Sequence, residues 1–117
     1  MDLQITFRDE TASESLHAHV EKRAQKLELA KGSPQRCRVV VEAPHRHQKH
    51  GRHYRVRIDL TVPGTEIVAG SLRKDDHLHE DAYNAIDDAF DAAERLLNDH
   101  YDRVVERTRQ TPVPKSA

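Results

Sequence analysis

The chain has 117 residues, a length that suits one domain with a modest hydrophobic core. Its 19 basic and 20 acidic residues give a net charge of −1, which excludes neither a nucleic-acid partner nor a protein partner. The single cysteine excludes an internal disulfide, and we see no secretory signal or apolar run of membrane length, so we predict a soluble, cytoplasmic protein.

The first strand and helix are predicted from two different periodicities. Residues 3–7 alternate between apolar and polar side chains, as a half-buried strand does. Thr11 or Ser13 can cap a following helix, which should end near residues 29–31 because Gly32 stops it. Apolar residues recur along this helix at Leu16, Val20, Ala24 and Leu27.

Two further strands, residues 36–43 and 53–62, are predicted on either side of a basic, histidine-rich tip. The second alternates strictly, which predicts one buried and one solvated face. Cys37 alternates with Val39 and Val41, so we interpret it as a core residue and not as a nucleophile. The predicted inward side chains of the second strand are Tyr54, Val56, Ile58, Leu60 and Val62.

A turn at Val62-Pro63-Gly64 leads into a fourth strand, from residue 66 to 71 or 72, and a charged loop follows. A long helix is predicted from about Asp81 to Val105 or beyond. We interpret Tyr83 and Tyr101 as parts of its apolar stripe and not as base-stacking platforms. Acids that the helix dipole would favour lie in its first turns: Glu80, Asp81, Asp87 and Asp88.

The order β-α-β-β-β-α predicts an α+β domain over residues 1–107, with a four-stranded sheet and both helices packed on its apolar face. Residues 108–117 contain two prolines and are predicted to form a disordered tail. This topology places the tip at residues 45–53 beside the loop that holds His77 and His79.

The hairpin is a candidate surface for a polyanion. Residues 1–58 carry 12 Lys or Arg against 7 Asp or Glu, whereas residues 59–117 carry 7 against 13. Four arginines should share the outer face of the sheet and neutralise phosphates; the alternative is a solvated face with Glu42 paired to Arg55 or Arg57. The candidate RNA-binding residues of the hairpin are Arg36, Arg38, Arg46, Lys49, Arg52, Arg55 and Arg57.

The histidines raise the alternative of a metal site. Their spacing is not that of a structural zinc motif and no cysteine accompanies them, so we favour solvated or phosphate-contacting imidazoles and predict no metal or other cofactor. Protonation near pH 6 would then strengthen polyanion binding. The metal candidates are His45, His47, His50, His53, His77 and His79.

Catalysis is disfavoured by the sequence. There is no Gly-rich phosphate loop, no nucleophile beside a base, and few aromatic residues to wall a pocket, so we predict neither an enzyme nor a small-molecule substrate. A module that uses the histidine-rich hairpin for a protein partner or for metal sensing stays open as the alternative. The sheet edge likewise leaves a homodimer open, although nothing in the sequence indicates one.

Five motifs in order resemble a known family, the ribosome hibernation-promoting factors, also called ribosome-associated translation inhibitors or sigma-54 modulation proteins. The resemblance covers about residues 3–105, and its hairpin sequence is similar to a histidine-rich branch of the family. The motifs are Ile5-Thr6, residues 20–28, Val62-Pro63-Gly64 with Glu66-Ile67, residues 80–87 and residues 94–97.

The resemblance implies a non-enzymatic protein with a fold like that of double-stranded-RNA-binding domains, in its short, single-domain form. It implies binding to small-subunit rRNA near the decoding channel, with translation inhibited and idle ribosomes stabilised in stress or stationary phase. Basic helix residues that line the rRNA-facing groove in the family match Arg23, Lys26 and Arg95. The last helix is more acidic than is usual in the family, which would move the contact toward the hairpin.

Overall fold

The computed structural model describes residues 1–8, 13–42, 54–70 and 82–110. Within these ranges the predicted β-α-β-β-β-α order is confirmed, with strand bounds that differ from the prediction by one or two residues. No helix in the described ranges is long and apolar enough to cross a bilayer. The elements are β1 (Asp2–Arg8), α1 (Glu14–Glu28), β2 (Arg36–Glu42), β3 (Arg55–Val62), β4 (Thr65–Gly70) and α2 (Ala82–Gln110).

The four strands form one mixed sheet in the order β1-β2-β3-β4. The two hairpin pairs, β2 with β3 and β3 with β4, are antiparallel, whereas β1 runs parallel to β2. A parallel pair cannot be joined by a tight turn, so the chain crosses over through α1. This arrangement leaves β1 and β4 as the two edges of the sheet.

One face of the sheet is apolar because the strand register stacks the alternating side chains in rows. Every inward residue of β2 and β3 is buried, whereas those of β1 are only partly buried. The two central rows are Leu3, Cys37, Leu60 and Ile67, and then Ile5, Val39, Ile58 and Ala69.

Both helices pack on this apolar face, as predicted. The small alanines of α2 let it approach the sheet closely, and Phe90 fills the space between the helices and the strands with no exposed surface. The buried residues of the helices are Leu16, Val20, Ala24 and Leu27 of α1, and Ala82, Ala85, Ile86, Ala89, Phe90, Ala93 and Leu97 of α2.

Cys37 is a core residue, which confirms its interpretation from the sequence. Its side chain is fully buried in β2. Burial, with a smaller contribution from the charge of Asp59, raises the pKa of the thiol to about 12. The thiol is therefore protonated at physiological pH and is a poor nucleophile.

Both helices begin close to the positions predicted for them. Ser13 is the N-cap of α1, and its Oγ accepts a hydrogen bond from the backbone N–H of Leu16 at 3.1 Å. Helix α2 begins at Ala82 and has no acid in its first turn; Asp87 and Asp88 lie in its second turn, among the N-terminal turns where they were predicted. Glu80 and Asp81 lie outside the described residues.

Helix α2 continues past Val105 to Gln110, which shortens the predicted tail. The predicted tail began at Thr108, but that residue is helical and its hydroxyl donates to the carbonyl of Val104 at 2.9 Å. The first residue that is sterically biased against helix is Thr111, because Pro112 follows it. Residues 111–117 of the predicted tail lie outside the described residues.

Two glycines take backbone conformations that other residues avoid, for different reasons. Gly64 has φ +85° in the turn between β3 and β4, as the turn motif predicts, and open space surrounds the position of a Cβ atom. Gly70 has φ +120° at the end of β4, and a Cβ atom there would overlap the carbonyl oxygen of Val56. Gly70 is therefore required both by its dihedral angle and by the close approach of β3.

We expect Gly70→Ala to lower the free energy of unfolding by about 3 kcal/mol or more, because it adds a backbone clash to the strain of a positive φ. The matched change Gly64→Ala carries the strain without the clash and should cost about 1–2 kcal/mol. Urea unfolding of both variants measures the difference. Equal losses of free energy in the two variants would show that the backbone at Val56 moves away from the added Cβ atom without cost.

Candidate nucleic-acid interface

The outer face of the sheet, opposite the helices, carries the arginines that the sequence singled out. Arg36 and Arg38 of β2 alternate with the buried Cys37 and Val39, and so they project from the other face. In β3, Arg55 and Arg57 alternate in the same way with buried residues. The sheet therefore brings together four of the predicted residues on one face.

These four arginines differ in their availability to a ligand. Arg36 and Arg38 are exposed, and neither has an ion-pair partner within the described ranges. The guanidinium of Arg57 is bound to its neighbour Asp59, with Nε 3.0 Å from Oδ1. Arg55 is half-buried, and its Nε is buried without a hydrogen-bond partner. The accessible positive charge of this face thus lies mainly on β2.

The alternative pairing of Glu42 with Arg55 or Arg57 is not observed. Glu42 lies opposite Arg55 in the strand register, but its carboxylate contacts Arg8 of β1, with Nη1 3.8 Å from Oε1. The parallel register makes Arg8 and Glu42 direct neighbours, so the carboxylate has a cation on either side. Its exposed pairing with Arg8 contributes little to stability.

The tip of the hairpin, with Arg46, Lys49 and Arg52, lies outside the described residues. The six candidate metal-binding histidines, in the tip and in the segment 71–81, also lie outside them. The flanks of the tip are described. Glu42 and Arg55 are register partners, and Gly70 is the partner of Arg57, so the segments 43–53 and 71–81 leave the sheet at the same end. No cluster of three or more metal-ligating side chains occurs in the part of the chain that the structure describes.

Arg23 is a link between the two helices. Its guanidinium lies 2.8 Å from Asp87 Oδ1, 2.7 Å from Asp91 Oδ1 and 3.2 Å from Glu94 Oε2, and it also covers the ring of Phe90 at 5.6 Å. Only 15% of its side chain is exposed. Its Nη1 and Nη2 atoms are bound by carboxylates and its Nε is buried, so in this structure the guanidinium faces α2 and not solvent, where the family resemblance would have it contact RNA.

The other two predicted helix residues remain accessible. Lys26 is 69% exposed, although its Nζ lies 3.4 Å from Glu94 Oε1. Arg95 is exposed and has no ion pair within the described ranges. Phosphate can therefore reach these two side chains on the helix layer, beside the acids of α2.

Sequence reasoning missed the partners of Arg23, although the spacing contained the signal. His19, Arg23 and Lys26 follow one another at four and three residues, which places them on one face of α1. The acids of α2 have the same spacing, at Asp87, Asp91 and Glu94. His19 completes the set, with Nε2 2.7 Å from Asp87 Oδ1 and the ring of Tyr83 edge-on at 5.2 Å. We call these six ionisable residues the interhelix network.

The network shifts the pKa of two of its members. Burial works to raise the pKa of Asp87, but hydrogen bonds from His19 and Arg23, with their charges, outweigh it and the pKa is lowered. Burial likewise works to lower the pKa of Arg23, and the bonds to Asp91 and Asp87 with the charge of Glu94 raise it instead. Both groups are therefore held in their charged forms.

We expect Arg23→Ala to lower the free energy of unfolding by about 2 kcal/mol, because it leaves three carboxylates facing one another without their shared cation. Lys22→Ala removes the same charge from an exposed neighbour with no ion pair in the described ranges, and should cost less than about 0.5 kcal/mol. Thermal unfolding of the pair measures the contrast. Similar losses would show that the network is incidental to stability.

The lowered pKa of Asp87 predicts a pH dependence. An aspartate in the unfolded chain has a pKa of about 3.9. The stabilisation from charged Asp87 is therefore complete at neutral pH, and it is lost as the pH falls through the lower pKa that Asp87 has in the folded protein. Asp87→Asn should therefore be less stable than wild type at pH 7, and the gap should close below about pH 4. Urea unfolding from pH 3 to 7 measures this difference in the free energy of unfolding, with Asp99→Asn as an exposed control. A difference between wild type and Asp87→Asn that does not narrow in acid would contradict the prediction.

Comparisons with known proteins agree with this fold. A ribosomal subunit interface protein from Coxiella burnetii superimposes with a TM-score of 0.66 at 18% identity, over 86% of this chain and 97% of that one. The N-terminal domain of Protein Y from Thermus thermophilus gives 0.64 at 20% identity, over 86% and 99%. At such identities these structures establish the fold alone. No curated protein sequence matches the chain.

The family match comes from the sequence itself. The model of the family described as sigma 54 modulation protein / S30EA ribosomal protein matches residues 3–105, most of the 117-residue chain. The matched range agrees with that of the resemblance. It includes all four strands except Asp2, the first residue of β1. It also includes the buried faces of both helices and the interhelix network. The chain therefore belongs to the sigma 54 modulation protein / S30EA ribosomal protein family.

Proposed function

We propose that this protein binds small-subunit rRNA near the decoding channel, inhibits translation and stabilises idle ribosomes in stress or stationary phase. Membership of a family of ribosome-associated hibernation factors, which are not known as enzymes, supports the general role. Ribosome association implies that the protein acts in the cytoplasm. The observation that carries the rRNA contact is the exposure of Arg36 and Arg38 on β2, neither of which forms an ion pair among the described residues.

Arg36 and Arg38 suit a phosphate backbone by position as well as by charge. Arg36 and Arg38 are two positions apart on one strand, so their Cα atoms lie about 6.6 Å from each other. Strand β2 is bordered on both sides by other strands, so this spacing is rigid. A guanidinium donates two parallel hydrogen bonds to a phosphate, and the fixed strand lowers the entropy lost when it does so.

The remaining candidates extend this surface in two directions. Arg46, Lys49 and Arg52 follow β2 in the sequence and lie outside the described residues; we include them as proposed phosphate contacts on the strength of their charge. Lys26 and Arg95 supply accessible positive charge on the helix layer. Arg23 acts indirectly, since it holds the two helices in register and so fixes where Lys26 and Arg95 lie.

We expect the double change Arg36→Gln with Arg38→Gln to weaken binding to purified small subunits by about tenfold or more, because two phosphate contacts are lost. The slope of log affinity against log salt should fall by about 2. Co-sedimentation with small subunits across a salt series measures both quantities. Inhibition of translation in a purified system, for wild type and variant, tests the finer part of the proposal.

The matched control is Lys31→Gln with Arg103→Gln, which removes the same net charge from exposed residues away from the outer face of the sheet. This control should bind nearly as wild type does. Equal weakening of both variants would mean that net charge and not the arginine face governs binding. Binding that ignores salt would favour a protein partner over rRNA.

A further inference from the structure

Among the described residues, strand β1 is an edge strand with no blocking residue in its interior. Within the described residues no strand pairs with its outer edge. Its seven residues, DLQITFR, include no proline or lysine, two residues that natural proteins use to block an edge, and its two charges, Asp2 and Arg8, lie at its ends. An edge of this kind is a template for another strand.

The opposite edge of the sheet is protected. Strand β4 follows the Pro63-Gly64 turn, carries Glu66, and ends at Gly70 with a backbone that leaves the strand conformation. Helix α2 also packs along it. The difference between the two edges singles out β1.

The direction of the free backbone groups on β1 follows from one hydrogen bond. The N–H of Asp2 donates to the carbonyl of Gln35 at 3.1 Å, so the backbone groups of Asp2 face β2. Alternate residues of a strand point the same way. The N–H and C=O groups of Leu3, Ile5 and Phe7 therefore point away from β2, toward the free edge.

The side chains of these three residues are also incompletely covered. Leu3, Ile5 and Phe7 pack against the core but are only partly buried, whereas their register partners Cys37, Val39 and Val41 on β2 are fully buried. The apolar face of the sheet therefore runs to the edge and stops there half-covered. A further strand beside β1 would bury this row.

The sequence of β1 is complementary to itself when reversed. If two copies run antiparallel with Ile5 opposite Ile5, then Leu3 faces Phe7 and Gln4 faces Thr6. Asp2 at one end of the strand faces Arg8 at the other. The positions that would exchange backbone hydrogen bonds in this register are the ones whose N–H and C=O groups point outward. A register shifted by one residue loses the Asp2–Arg8 match and shortens the overlap.

We propose that the protein associates with a second copy of itself through the free edge of β1, so that the two four-stranded sheets join into one. On the order of six backbone hydrogen bonds would form, and Asp2 of each copy would lie opposite Arg8 of the other, a side chain that also contacts Glu42. The surface buried by one short strand pair falls below about 1,200 Å², so the dimer is weak and depends on protein concentration. This interface uses the edge of the sheet and does not rest on the proposed rRNA contact of its outer face.

Backbone amide exchange tests the register directly. With rising concentration, the amides of Leu3, Ile5 and Phe7 should exchange more slowly, while those of Gln4 and Thr6, which already face β2, should change little. Sedimentation equilibrium over the same range should show a monomer–dimer transition. A chain that stays monomeric to millimolar concentration, or protection that rises at other sites and not at these three, would overturn the proposal.

Paired charge variants provide the second test. Gln4→Lys with Thr6→Lys places like charges opposite each other twice in the proposed register and should weaken dimerisation by roughly tenfold. Gln4→Lys with Thr6→Glu places opposite charges at these positions, and this variant should dimerise as strongly as wild type or more strongly. Both variants change only the outer face of β1, and a thermal unfolding control confirms that the monomers are folded. Equal dimerisation of the two variants would exclude this register.

Discussion

One-sided burial of the sheet is the constraint on which the rest of the structure depends. Every inward residue of β2 and β3 is covered by the two helices, and the chain has no further element to place on the other face within the described ranges. Since side chains alternate along a strand, each buried residue fixes a neighbour in solvent. The positions of Arg36 and Arg38 follow from the burial of Cys37 and Val39, and so the candidate binding face is a consequence of the core.

The interhelix network explains why an acidic second helix suits this fold. Asp87, Asp91 and Glu94 are satisfied by cations of α1, which holds two helices together over a small core. An arginine at a position that the family resemblance assigned to RNA is used here for packing. The charge of α2 is thus partly a structural feature, and the accessible cations lie mainly on the sheet.

Much of the fold could be predicted from sequence because its signals are local. The strict alternation of β3, the helical spacing of Leu16, Val20 and Ala24, and the Pro63-Gly64 turn each specify their own element. The network could not be found in this way, since the contact of His19 with Asp87 joins residues 68 positions apart. The partner of Glu42 could not be found for a related reason: β1 supplies Arg8 through a parallel register that no turn fixes.

A near-neutral chain can still present a positive surface, because screening makes the local arrangement of charge decisive. At physiological salt the Debye length is about 8 Å, so acids on the far side of the helix layer have little effect on a phosphate at the outer face of the sheet. On that face Asp59 is bound to Arg57, and Glu42 lies beside Arg8. Arg36 and Arg38 are left without a carboxylate partner in the described ranges. A polyanion therefore meets their charge, and the net charge of the whole chain does not determine the contact.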